Sequence, residues 1–434
     1  MIFDLMNKLR VPLNKLNFKN LITFYFIFLI LVICATIFYS YLFINKFPNN
    51  FDQQFNLIIE NIEFGNGPLI YNLLNYGEYQ SKFSGIDFHL QKLPVLPLFY
   101  TFILKISENF FYFITLKNTI TFSLIYIVCF FSLKSLNKNL LDFFILIGFI
   151  FIIPYNLFVF LNYQYADCLL AVLLPSLYLI LISNLKLKFY FASIILFLLY
   201  LTKTSMVYLV LIIPLVVILK EKKGLNKYAI TLGPIFAILL WGSFGYKMLN
   251  KFTFGSDMLS VNPMGIHIVT HTDFYNYFPY KSVDLLQAKI KLPDYIKTET
   301  EFFNYYKDKN EKFFSINENR NKFILDSFKK IKFILFNIKR DSAFMKNGKF
   351  DNSIRYSLIP DKIILNLSIF FSILFFLKNC RKTICNYEIY YIFIVSLNML
   401  PHVAAWATSK HLIPIFVISF FYLYLRVFSF YAKK

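Results

Sequence analysis

Charge is what this chain lacks most. Only 16% of its 434 residues are Asp, Glu, Lys or Arg, against 58% hydrophobic, where a soluble domain carries about a quarter charged residues. With a mean hydropathy of +0.56, a soluble globular enzyme is excluded and a membrane protein is indicated. Glycine is scarce, with 12 residues, while Phe reaches 56 and Tyr 31. With abundant Lys, Asn and Ile, this is the bias of an AT-rich genome, so a motif built only of Phe, Tyr or Lys carries little information. The cysteines (Cys34, Cys129, Cys168, Cys380 and Cys385) have no spacing that suggests zinc or a disulfide framework. No small-residue cleavage site follows the first apolar run, which is too long for a cleavable signal and is expected to stay as a span. Acids are also few, 24 against 45 Lys and Arg, for a formal net charge of +21. The cations are not gathered in one patch. They sit between apolar segments, which argues against a nucleic-acid partner and for membrane topology.

What is present is a series of apolar runs. Ten membrane segments are expected, at about 21–44, 118–133, 141–160, 167–184, 189–202, 205–219, 228–245, 360–377, 388–402 and 412–428. Several are shorter than the roughly 20 residues that a straight span prefers. The fold class is an all-α, polytopic transmembrane helical bundle with a long first outer loop carrying interfacial helices. The N-terminal arm holds Lys8, Arg10, Lys15 and Lys19. Alternate loops hold Lys134 and Lys138, then Lys186 and Lys188, then Lys220, Lys222, Lys223 and Lys227, then Lys378, Arg381 and Lys382, and the tail ends in Arg426, Lys433 and Lys434. The positive-inside rule puts all of these in the cytoplasm. The expectation is a multi-pass protein of the cell (inner) membrane with both termini cytoplasmic.

That topology divides the chain into a transmembrane region, 1–245, with a first outer loop at 46–117, an outer-face segment at 246–359 that rests on the membrane part, and C-terminal helices over 360–434. The first loop is expected to hold two short amphipathic helices. Phe55, Ile58, Ile59 and Ile62 form one apolar stripe, and Leu96, Phe99, Phe102 and Ile103 form another after Pro94 and Pro97. A helical run at Asn321–Phe336 carries Ile324, Phe328, Ile331 and Ile334 at helical spacing.

The isolated ionisable residues sort to the outer face. Asp52 follows the first span, where nearness to an apolar boundary raises a carboxylate pKa toward that of a general base; equally, it suits the cap of the next helix. Asp87 and His89 are two apart, a spacing that suits a divalent metal, but no third ligand is near, and loop hydrogen bonding serves as well. Lys92 precedes Pro94. Asp167 opens a span, as a cavity-lining acid or an N-cap, and Lys203 separates two apolar runs, facing a polar cavity or snorkelling. Lys410 and His411 open the last span as Lys-His-Leu-Ile-Pro414, either as phosphate donors or as an interfacial anchor.

This layout resembles the GT-C superfamily of membrane glycosyltransferases, in the branch related to family 39 and the bacterial aminoarabinose transferases. The resemblance rests on Asp52, on Gly77-Glu78-Tyr79, on His89 through Lys92 to Pro94 and Pro97, on Leu-Thr-Lys203-Thr, on Lys410-His411-Leu-Ile-Pro414 and on the Phe254-Gly255 stretch. Gln53 stands where many members have a second acid. The resemblance implies transfer of a sugar from a polyprenyl-phosphate donor to a hydroxyl of a glycan, lipid or protein acceptor. Asp52 would be the base, and Lys92, Lys203, Lys410 or His411 would stabilise the leaving phosphate. No cofactor is implied, and a divalent metal is the one candidate. The alternatives are an O-antigen polymerase or ligase, and a lipid-carrier flippase or transporter. The last predicts ionisable residues near the middle of spans and inverted repeats, neither of which is read here. The topology gives a first prediction. Cysteines introduced into the 46–92 loop should react with an impermeant thiol reagent in intact cells, and one beside Lys222 should not; the reverse pattern overturns the orientation.

Overall fold

The computed structural model describes residues 10–46, 81–83, 86–89, 93–106, 109–152, 167–221, 224–255, 293–336, 345–346, 349–350, 358–379, 386–404 and 412–428. Among them the chain is helical apart from two antiparallel hairpins. One pairs β1 (Ser81–Phe83) with β2 (Ile86–Phe88), and the other pairs β3 (Met345–Lys346) with β4 (Lys349–Phe350). The helices are α1 (Phe18–Lys46), α2 (Val95–Ile106), α3 (Phe110–Ser135), α4 (Leu140–Ile152), α5 (Asp167–Ile182), α6 (Lys188–Thr202), α7 (Val207–Lys220), α8 (Leu232–Leu249), α9 (Glu299–Ser315), α10 (Asn317–Phe336), α11 (Leu358–Asn379), α12 (Asn386–Ala404) and α13 (Ile413–Tyr422).

Among the described residues a helix stands at each expected apolar segment, with 153–160 of the third outside them. Among the described residues, four stretches can cross a membrane by length and composition: Lys19–Phe38, Phe111–Ser135, Leu225–Leu249 and Ile359–Lys378. Shorter apolar helices cover Leu140–Ile150, Cys168–Ile182, Lys188–Thr202, Thr204–Lys220 and Ile413–Val427. The chain is that of a membrane protein. The four long stretches carry it, since about 20 residues of helix span a bilayer core.

The bundle is built around α5. Its sequence is apolar on every face, and all of Cys168–Ile182 is buried, as such a helix must be. It packs on α3, α6, α12 and α13. The outer helices keep an apolar face open. Phe26, Ile30 and Phe38 of α1, Phe236 and Leu239 of α8, and Phe370 and Leu377 of α11 are all exposed. Water penalises such a surface, and a hydrocarbon solvent does not.

The basic loops gather at one end of the bundle. The Leu13 and Leu140 amides donate to the carbonyls of Lys138 and Val11, at 3.0 and 2.9 Å. The Asn184 amide donates to Ser135 Oγ at 3.1 Å. Glu221, at the end of α7, takes Lys188 Nζ at 3.0 Å and Tyr390 Oη at 3.3 Å. Lys227 Nζ reaches the Ile218 and Glu221 carbonyls. Tyr424 Oη donates to Asp142 Oδ1 at 2.8 Å, and Arg426 Nε donates to the buried Glu388 at 2.5 Å. The sequence-level sorting of loops into two sets is therefore a spatial sorting.

Several local expectations change. α3 begins at Phe110, capped by Asn109 Oδ1, which accepts the Phe111 and Tyr112 amides; Lys117 thus lies within the helix and not before it. The helix after Pro94 forms, but its buried face is Leu96, Tyr100, Ile103 and Leu104, while Phe102 points outward at 60% exposure. The i, i+4, i+7 series from Leu96 decides the face. The stripe around Phe55 lies outside the described residues. In α10 only the C-terminal end of the expected stripe packs. Ile334 is buried against the bundle, whereas Ile324 and Phe328 are 52% and 65% exposed.

α6 and α8 approach closely enough for the Gly233 amide to donate to Ser193 Oγ at 2.6 Å. A Cβ on Gly233 would run into the Ser193 carbonyl. Gly233→Ala is expected to force the helices apart and cost about 1–3 kcal/mol, lowering the melting temperature in detergent. Gly148→Ala, inside α4 with open space around it, should hold or slightly raise the melting temperature.

Candidate functional site

The end of the bundle opposite the basic loops holds the described members of the candidate site. His89 follows β2, and its amide donates to Glu299 Oε2 at 2.8 Å, with Nδ1 3.6 Å from the same oxygen. Glu299 is only 2% exposed. This contact ties the first long connection to the start of α9, two stretches separated by 210 residues. The start of α9 is fixed by a Thr-x-x-Glu capping box. Glu301 Oε2 accepts the Lys297 and Thr298 amides at 2.9 and 3.0 Å, and the Glu301 amide donates to Thr298 Oγ1. These bonds, first the one from the Lys297 amide, hold the Glu301 carboxyl below the usual glutamate range.

Inside the bundle at this end, α2, α3 and α5 bring together Tyr100, Lys117 and Cys168. Tyr100 Oη and Cys168 Sγ are 3.2 Å apart. Lys117 is 1% exposed and within electrostatic reach of Cys168. At the next residue, Asn118 Nδ2 donates to Thr36 Oγ1 at 3.0 Å, linking α3 to α1. A cation here is costly unless anions or dipoles meet it. A basic side chain within electrostatic reach of a thiol that is itself bonded to a phenol can receive an oxyanion.

Lys203 sits at the break after α6. Its backbone is extended, with φ at −150°, and its carbonyl accepts the Met206 amide at 2.9 Å. Beside this break Tyr200 Oη accepts the Gly255 amide at 3.0 Å, and the Gly255 carbonyl accepts Trp241 Nε1 at 2.7 Å. Gly255 has a φ of +74°, which a side chain would strain. The Gly255 peptide therefore ties the end of α6 to the middle of α8. On the far side of the bundle, Lys362 Nζ donates to the Ile334 carbonyl and stands 5.5 Å over the Phe416 ring. Phe416 is in the first turn of α13, the helix that Lys410 and His411 precede in the chain.

The other expected residues divide in two. Asp52, Lys92, Lys410 and His411 lie outside the described residues. Asp87 is placed by backbone alone, opposite Lys82 in the β1–β2 hairpin, and Asp167 as the first residue of α5. Among the described residues no three His, Cys, Asp or Glu side chains come together as a metal site. Sequence reasoning missed Lys117, Lys362 and Glu299. For Lys117 the signal was its register: Phe113, Lys117 and Thr121 are four apart, and all are buried on one face of α3. No protein-family model matches the chain, and no similar curated protein or solved structure is found.

The cap of α9 titrates in a defined direction. Because the folded-state pKa of Glu301 is lowered, its stabilisation is complete above the ordinary glutamate pKa and is lost as pH falls through the lowered value. Amide-exchange protection of the first turn of α9 should fall in acid, after correction for the intrinsic rate. Glu301→Gln should flatten that dependence, and an unchanged profile would remove Glu301 from the cap.

Proposed function

We propose that this chain is an inverting membrane glycosyltransferase. It moves a sugar from a polyprenyl-phosphate donor to an acceptor hydroxyl at the outer face of the cell membrane. The observation that carries the reading is the division of the bundle's two ends. The basic loops share one end, and His89, Glu299, Tyr100, Lys117, Cys168, Lys203 and Lys362 share the other. A lipid-linked donor has its reactive bond at the membrane boundary, so its enzyme needs polar groups at one end of an apolar bundle. With the basic loops in the cytoplasm, that end faces outward and the remaining apolar helices cross the membrane with the four long ones.

In this reading Asp52 removes the proton from the acceptor hydroxyl. The oxygen attacks the anomeric carbon from the face opposite the phosphate, the bond from carbon to phosphate oxygen breaks, and polyprenyl phosphate leaves. Buried or boundary ammonium groups, Lys117 and Lys203 first, stabilise the charge that develops on that phosphate. The acceptor is a glycan, lipid or protein hydroxyl.

A second reading has one observation in its favour. Lys117 is buried within a candidate span, and an ionisable residue inside a span is what a lipid-carrier flippase or transporter needs. One preparation separates the two. The purified protein, reconstituted in vesicles with a polyprenyl-phosphate sugar, is assayed for sugar transfer to an added acceptor and for movement of the donor between leaflets. Transfer is expected, and Asp52→Asn should reduce its rate by about 10²–10⁴, the usual effect of losing a general base, without a large fall in melting temperature. Translocation without transfer favours the flippase. A folded Asp52→Asn protein with near-normal turnover removes Asp52 from the mechanism.

A further inference from the structure

The exposed apolar stripe of α10 is not explained by the site or by the packing of the bundle. Ile324, Leu325 and Phe328 are 52%, 61% and 65% exposed, and at the end of the helix Phe336 is 64% exposed. The other side of the helix is occupied. Phe323 meets Phe314 of α9 edge-on at 5.2 Å, and Ile334 is fully buried. At 100° per residue Ile324, Leu325 and Phe328 fall within one arc, and Asp326 falls opposite Phe328.

Two further observations say what covers the stripe. First, the C-terminal end of α10 is fixed to the start of a spanning helix. Lys362 Nζ and Asn366 Nδ2 of α11 take the last carbonyls of α10, from Ile334 and Leu335. Ile359–Lys378 is the candidate span, so this end of α10 is held beside the first turns of a membrane crossing. A helix of 20 residues runs about 30 Å from that anchor. Second, the helix is basic. It carries Arg320, Lys322, Lys329, Lys330 and Lys332 against Glu318 and Asp326. By helical position Lys329 stands at one edge of the stripe and Arg320 at the other, and Lys332 falls within its arc one turn past Phe328. Lysine and arginine stems beside an apolar stripe can reach up to headgroups while the stripe enters the acyl region.

We infer that α10 lies in the interface of the membrane that α11 crosses, with Ile324, Leu325 and Phe328 in the lipid and its flanking cations on anionic phospholipid headgroups. The inference rests on the membrane reading of α11 and not on the glycosyltransferase chemistry. It makes residues 317–336 a lipid-bound brace beside the bundle and not a lid standing in water.

The test uses the full chain in vesicles, with Phe328→Trp on the stripe and Asp326→Trp opposite it, each measured as the difference from the parent protein with its own tryptophans. Lipids brominated on the acyl chain quench a tryptophan that enters the bilayer. Phe328→Trp should be quenched about twofold more than Asp326→Trp, with blue-shifted emission. The excess should grow when anionic phosphatidylglycerol joins neutral phosphatidylcholine, and shrink at high salt. Water-like emission without quenching from Phe328→Trp in every vesicle overturns the inference. Blue-shifted emission without quenching also overturns it, since the stripe is then covered by protein, a second copy included. Quenching indifferent to anionic lipid and salt removes the role of the cations. Loss of sugar transfer with quenching intact bears on the proposed reaction alone.

Discussion

The cost of leaving a charge or a main-chain polar group without a partner in an apolar bundle organises this molecule. Among the described residues, the acids at the basic-loop end are engaged. Glu221 joins Lys188 of α6 to Tyr390 of α12, Glu388 takes Arg426 from the end of the chain, and Asp142 takes Tyr424. Each contact closes a helix end against another, so the loops that the sequence separates are drawn into one layer. Such pairs add little net energy when solvated, but removing one partner leaves a buried charge behind, which is costly. Glu388, fully buried, is the clearest case.

The opposite end obeys the same constraint with different groups. There, side chains satisfy loose ends of backbone: Lys362 and Asn366 cap the carbonyls of α10, Glu299 takes the His89 amide, and Tyr200 and Trp241 hold both sides of the Gly255 peptide. These contacts join stretches that are far apart in sequence. Lys117, buried inside the core within electrostatic reach of Cys168, gives this end its functional interest.

Much of the helical framework was legible because its signal is local. Ten apolar runs and their basic loops could be read from residue order alone, and a helix stands at each. The capping Asn109 and the phase of Phe113, Lys117 and Thr121 were also in the sequence, but the apolar run drew the boundary of α3 too late. The face of α2 was misread at Phe102 because one more aromatic residue looks like one more core residue until its phase is checked against Leu96 and Tyr100. The candidate site was legible only as a list of ionisable residues and not as an arrangement, since Glu299 is 210 residues from the His89 it binds.

By itself, the sequence determined the solvent of this protein and the axis of its bundle. Hydrophobicity sums along a run, and charge sorts by alternate loops, so both survive without coordinates. Only the tertiary structure decided which helix is central, which apolar faces stay exposed and which polar groups meet one another. Helices that are nearly all apolar carry almost no information about their neighbours, and the choice of α5 as the core, the burial of Lys117 and the bare stripe of α10 are set by contacts between segments far apart in the chain.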